Sequence, residues 1–150
     1  MRNVIKTQVA VPQAQLAKLL ADPQNNPKWM VDLASFKPGS GKPGEIGSTY
    51  KLAFKSGDRI MEFDAKVTKR DLPNELKVEM KNPTVDLDAV ARFTKISDSI
   101  TEYTSDQTFT FKGLMGKIFG MLGSSSIKEQ QKRDMLGFKE FAEKTYKRSQ

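Results

Sequence analysis

Apolar and polar residues alternate near the start of the chain: Ile5, Thr7, Val9 and Val11 interleave with Lys6, Gln8 and Ala10, the period of two of a half-buried strand. Pro12 follows, and its fixed φ suits the first position of a helix over "PQAQLAKLLAD". "PQNNPKWMVDL" holds two prolines and two asparagines, which predicts a turn and then a further short helix around Trp29. "SFKPGSGKPGEIGS", rich in Gly and Pro, reads as a loop. Five strand patterns then succeed one another: Thr49 to Lys55, Arg59 to Lys69, Glu75 to Lys81, Val85 to Ile96 and Ile100 to Phe111. The separators "SGD", "DLPN", "NPT" and "SDS" are short enough to impose an antiparallel meander. A last helix is expected to begin near "SSSIKE", where Ser126 and Glu129 have the spacing of a capping box.

The alternation also predicts one apolar and one wet sheet face. Met61, Phe63, Ala65 and Val67 interleave with Glu62, Asp64 and Lys66; Leu76, Val78 and Met80 with Lys77 and Glu79; Tyr103, Gln107, Phe109 and Phe111 with Glu102, Asp106 and Thr110. The carboxylates therefore point outward, and the pairs Glu62 with Asp64 and Asp86 with Asp88 read as a solvated face and not as acid/base dyads. In "VDLDAVARF" Val90 and Ile96 share a parity with Arg92, so a bulge could turn Arg92 inward.

Composition narrows the chemistry. The 150 residues include no cysteine and no histidine. That removes disulfides, thiol nucleophiles, thiolate and imidazole metal sites and every His-dependent triad, so neither a metal nor a cofactor is expected. The length suits a single domain over 1–150 with a core of its own. A net charge of +7 is spread along the chain without a basic block, which argues against nucleic acid as a partner. No window approaches the ~20 apolar residues that span a bilayer, and "MRNVIKTQVAVP" lacks the apolar stretch of a secretory signal. A cytoplasmic location is expected. "GSGKPG" matches a dinucleotide glycine motif by letter, but a strand follows it where the motif needs a helix; as a Walker loop it has Phe36 for the first Gly and Pro43 for the Ser or Thr.

The stretch "KGLMGKIFGMLGSSSIKEQQ", Lys112 to Gln131, carries two stripes at helical spacing: Leu114, Met115, Ile118, Phe119 and Leu122, and Gly113, Gly116, Gly120 and Gly123. Each interior glycine costs a helix roughly 1 kcal/mol relative to Ala, so the segment is expected to be helical only against a packing partner. It reads as a lid between the last strand and the last helix. Lys112, Lys117 and Lys128 beside the apolar stripe support a second reading, an interfacial anchor, for which weak, salt-sensitive contact with an anionic membrane is expected.

The stretches "VAVPQAQLAKLLADPQNNPKWM" and "KPGEIGSTYKLAF", together with a long final helix after a Gly-rich approach, resemble the START-like polyketide cyclase/dehydrase and lipid-transport superfamily, which shares its fold with the birch-pollen allergen. The resemblance covers nearly the whole chain. It implies an α+β helix-grip fold: a curved antiparallel sheet of six to seven strands, two short helices after strand 1, and a long C-terminal helix gripped by the sheet with an apolar cavity between. The cavity lining is then expected from Trp29, Leu52, Phe54, Met61, Phe63, Val78 and Met80. Phe93, Tyr103, Gln107, Phe109, Met115, Phe119, Met135 and Phe138 complete it, with Tyr103 and Gln107 as the polar groups that orient a ligand. Seven Met and nine Phe suit an adaptable apolar pocket, or equally a filled core.

Two functions stand against each other. One is a non-catalytic carrier that binds or transports a hydrophobic small molecule such as a lipid, an isoprenoid or a polyketide. The other is a polyketide cyclase or dehydratase that uses shape together with Tyr103, Arg92 or an acidic residue for proton transfer. The absence of His and Cys favours the first.

Overall fold

The computed structural model describes residues 1–150 apart from Met115 and residues 118–122. The N-terminal alternation forms strand β1 (Arg2–Val9), and helix α1 (Gln13–Ala21) follows with Pro12 as its N-cap. Asp22 accepts a 3.0 Å hydrogen bond from the Gln24 N–H and so caps a 3-10 turn, Pro23–Asn25, which leads into the short helix α2 (Asn26–Trp29). Strands β2 (Leu33–Pro38), β3 (Thr49–Ser56), β4 (Arg59–Asp71), β5 (Glu75–Lys81), β6 (Val85–Lys95) and β7 (Thr101–Phe111) precede helix α3 (Gly113–Arg148).

All seven strands join one antiparallel sheet in the order β1-β7-β6-β5-β4-β3-β2. The meander from β3 to β7 follows the alternation nearly residue for residue. Strand β2 does not: its sequence "LASFKP" has no clean alternation, its register slips between Leu33 and Ser35, and it ends in a proline. It is an edge strand, the position where a broken ladder and a missing N–H are tolerated.

The predicted helix start is corrected. Helix α3 begins at Gly113 and Ser126 lies well inside it, so no capping box forms between Ser126 and Glu129. Packing explains the earlier start. Gly116 is buried against the Thr84 carbonyl, which also accepts a 2.8 Å hydrogen bond from the Lys112 N–H, and a Cβ at position 116 would collide with that oxygen. The β5–β6 turn, held by Asn82 accepting from the N–H groups of Thr84 and Val85, thus receives the first turn of the helix. The lid reading falls largely on residues outside the described ones.

Arg92 does not turn inward. The β5–β6 and β6–β7 ladders are unbroken, and Arg92 stays on the face away from α3, 3.0 Å from Asp106 and 3.7 Å from Glu75. The slip that bends the meander lies in β4, between Val67 and Lys69. Asp106 shares the outer face but is only 4% exposed, because Arg2 covers it with hydrogen bonds of 2.9 and 2.7 Å and Arg92 with a third. Lys112 is likewise engaged, 2.7 Å from Asp86.

Helix α3 lies on the inner face. Gln131, Met135, Phe138 and Ala142, spaced by four, three and four, are its buried stripe. Gly137 lets it approach α2: a Cβ there would lie 2.5 Å from the Trp29 carbonyl oxygen. Among the described residues no helix is long and apolar enough to cross a membrane.

Candidate functional site: a cavity between sheet and helix

The space between sheet and α3 is filled on one side and hollow on the other. Val9, Val11, Leu16, Ala17, Phe93, Phe138 and Ala142 make a close-packed cluster where α1 and the second half of α3 meet β1, β6 and β7. Beyond it lies a cavity of about 480 Å³, the size of a small-molecule site. An aromatic row stands between the two. Phe93 stacks on Tyr103 with centroids 5.8 Å apart, and Phe138 meets the edges of both Tyr103 and Trp29 at 5.2 Å.

Of the residues expected at a ligand, Trp29, Phe54, Met61, Phe63, Val78, Met80, Tyr103, Gln107, Phe109 and Met135 border this cavity. They come from α2, the four strands β3, β4, β5 and β7, and α3, and on the strands the alternation supplies them because each presents every second side chain inward. Leu52 and Phe93 share that inward parity but are buried away from the cavity, Leu52 flanked in register by Phe36 and Phe63, and Phe138 lies on the buried stripe of α3 within the packed cluster. Parity fixes the face of the sheet on which a side chain lies and leaves its depth undetermined. Met115 and Phe119 lie outside the described residues.

The cavity is not wholly apolar. Burial pushes the Tyr50 phenol up to about 12, opposed by a hydrogen bond with Asn26, and raises the Tyr103 phenol well above its ordinary range, opposed by Ser105 and reinforced by the charge of Asp134. Both phenols are therefore neutral hydrogen-bonding groups. Gln131, 3% exposed, is saturated: its Nε2 reaches Ser105 Oγ and the carbonyls of Ser105 and Asn3 at 3.1 Å, and its Oε1 accepts from Asn3 Nδ2 at 2.7 Å.

Asp134 was not anticipated. It sits on α3 beside the buried stripe, three residues after Gln131 and four before Phe138, and borders the cavity. Its Oδ1 accepts from the Val31 N–H at 2.8 Å and from Gln130 Nε2 at 3.2 Å; Gln130 also donates to the Val31 carbonyl at 3.0 Å. Burial raises the Asp134 carboxyl to about 6 against those two hydrogen bonds and the charge of Arg133, with Asp32 adding to the rise. Two polar groups in the lining have no hydrogen-bond partner among the described residues, Asp134 Oδ2 and the Gln107 amide; Trp29 Nε1 is also unpartnered, but it is fully buried and does not face the open space. Among the described residues no cluster of carboxylates has the arrangement of a metal site.

No family profile and no curated protein matches the sequence. Solved structures do match. The Zhui aromatase/cyclase from Streptomyces sp. R1128 superimposes with a TM-score of 0.81 at 12% identity, over 95% of this chain and 93% of that one. A conserved protein from Geobacillus kaustophilus reaches 0.76 at 18% identity over 97% of both chains. A norcoclaurine synthase point mutant from Thalictrum flavum reaches 0.72 at 14% identity, again over 97% of both. At such identities the likeness is one of fold, and the chain has the helix-grip fold of these proteins.

Proposed function

We propose that the protein binds a hydrophobic small molecule in the cavity between its sheet and α3, as a carrier and not as a catalyst. One observation carries the reading: a hollow of about 480 Å³, with more apolar than polar residues in its walls, in a protein whose other half is close-packed. An apolar void of that size forfeits dispersion contacts that an apolar ligand restores. Proteins of the same fold include the aromatase/cyclase and norcoclaurine synthase named above, so the fold is compatible with ligands of polyketide or aromatic type.

The test is native mass spectrometry and titration with a panel of fatty alcohols, isoprenoids and aromatic polyketides. Stoichiometric binding of at least one class is expected, with a change in Trp29 emission because its ring borders the cavity. Absence of binding across all three classes would refute the carrier reading. A second reading, a cyclase or dehydratase, is favoured by the Asp134 carboxyl, which at about 6 is suited to exchange protons near neutral pH. Conversion of a linear polyketide to a ring or an alkene, abolished in Asp134→Asn with binding retained, would replace carriage by catalysis.

Membrane contact is proposed as weak and screened by salt. Leu114 is 76% exposed and Lys117 is exposed beside it, but Lys112 is tied to Asp86. Co-sedimentation with anionic vesicles should fall steeply with added salt; salt-resistant binding would contradict it.

A further inference from the structure

The polar groups of the cavity are unevenly placed. Val31, two residues after Trp29, donates to Asp134, so Asp134 marks the end of the cavity where α2 meets α3. The sheet side of the cavity, from Phe54, Met61, Phe63 and Met80, supplies apolar walls. At the polar end Oδ1 of Asp134 is taken by Val31 and Gln130, and its Oδ2 lacks a donor. A partly buried carboxylate oxygen without a donor is costly, and an alcohol, phenol or amine can donate to it.

Resting on the carrier reading, we propose that this end of the cavity selects ligands whose polar group donates a hydrogen bond, an alcohol, phenol or amine on an apolar body, and rejects carboxylates. The ionisable groups bordering the cavity are Asp32, Tyr50, Lys55, Tyr103, Arg133 and Asp134. Arg133 is engaged by Gln130 at 2.8 Å and Asp32 at 3.4 Å, and Lys55 is exposed on β3. The two tyrosines are neutral because burial raises both phenols. A carboxylate head group would therefore meet Asp134 and Asp32 with one engaged arginine between them, a like-charge approach in a site partly closed to water.

Three ligands with the same body and different heads decide the matter: decanol, decylammonium and decanoate, titrated into the intact protein by calorimetry. At about pH 8 decanol and decylammonium should bind at least about tenfold more tightly than decanoate, the scale of one unscreened like-charge contact. Asp134→Asn should narrow that gap to roughly threefold or less, since it removes the charge and keeps an acceptor for Val31. Should that variant not fold, the wild type decides. The advantage of decylammonium over decanol should shrink between about pH 8 and pH 5 as Asp134 gains its proton, because neither head titrates there. Decanoate binding as tightly as decanol, or a head-group preference unmoved by both the substitution and pH, overturns the proposal and leaves the carrier reading intact. Failure of all three to bind overturns the proposal, and the carrier reading then stands or falls on the isoprenoid and aromatic polyketide panels.

Discussion

Two carboxylates on opposite faces of one element stack experience opposite fates. Asp106, outside, is held below the usual carboxylate range, first by its hydrogen bond to Arg2 and then by Arg92, although burial opposes them. Asp134, inside, is raised to about 6, first by burial. Their effects on stability have opposite signs. Asp106 contributes stability that is present above the ordinary carboxylate pKa and lost as pH falls through its lower folded value. Asp134 binds its proton more tightly folded than unfolded, so its ionisation costs stability as pH rises from its ordinary 3.8 to about 6. Asp134→Asn should therefore raise stability at pH 8 by at most about 3 kcal/mol, with the gain shrinking below pH 6 and nearly gone by pH 4. Urea unfolding at three pH values checks this, and an unchanged or falling stability at pH 8 would count against a strained carboxylate. A site that lowers stability while unoccupied is what ligand recognition commonly requires.

At the scale of elements, α3 carries glycines with contrasting surroundings. A Cβ on Gly137 would lie 2.5 Å from the Trp29 carbonyl oxygen, whereas one on Gly123 would meet nothing within 4 Å. Gly123→Ala should stabilise the helix by roughly 0.5–1 kcal/mol. Gly137→Ala should destabilise the protein in spite of the same propensity gain, because α3 must move away from α2. Thermal unfolding of the pair separates the two; equal shifts would mean that α3 and α2 are not closely seated. The sequence was most legible where physics is local. Period two located β1 and β3 to β7 and assigned the inward parity of Tyr103 and Gln107 because these strands have one wet face. Strand β2 escaped because an edge strand with a slipped register needs no alternation. The start of α3 escaped because it depends on Thr84, a residue far away in sequence, and no local cap announces it. Asp134 was lost among the charges of "KEQQKRDMLGFKE"; its position three after Gln131 and four before Phe138 was the available signal, readable only once the buried stripe is known.

For the whole molecule, the division into a packed half and a hollow half separates folding from binding. The cluster of Val9, Leu16, Phe93 and Phe138 holds α3 on the sheet, so the walls beyond it can surround empty space. A ligand at a hundred times its Kd should then add about 2.7 kcal/mol to the unfolding free energy without a change of fold. The strand order has a further, kinetic consequence. Five consecutive strands form a meander of neighbours, but β1 and β2, which flank it, both come from the first 38 residues, and Arg2 pairs with Thr108 across nearly the full chain. Closing that loop costs entropy that the meander does not have to meet, so the barrier is expected to be crossed with the meander formed and β1 still free. Ile5→Val, on β1 against the packed cluster, should then speed unfolding several-fold and leave the refolding rate almost unchanged in a chevron analysis. A refolding rate that falls by the same factor would mean instead that the ends meet first and the N-terminal strand is part of the nucleus.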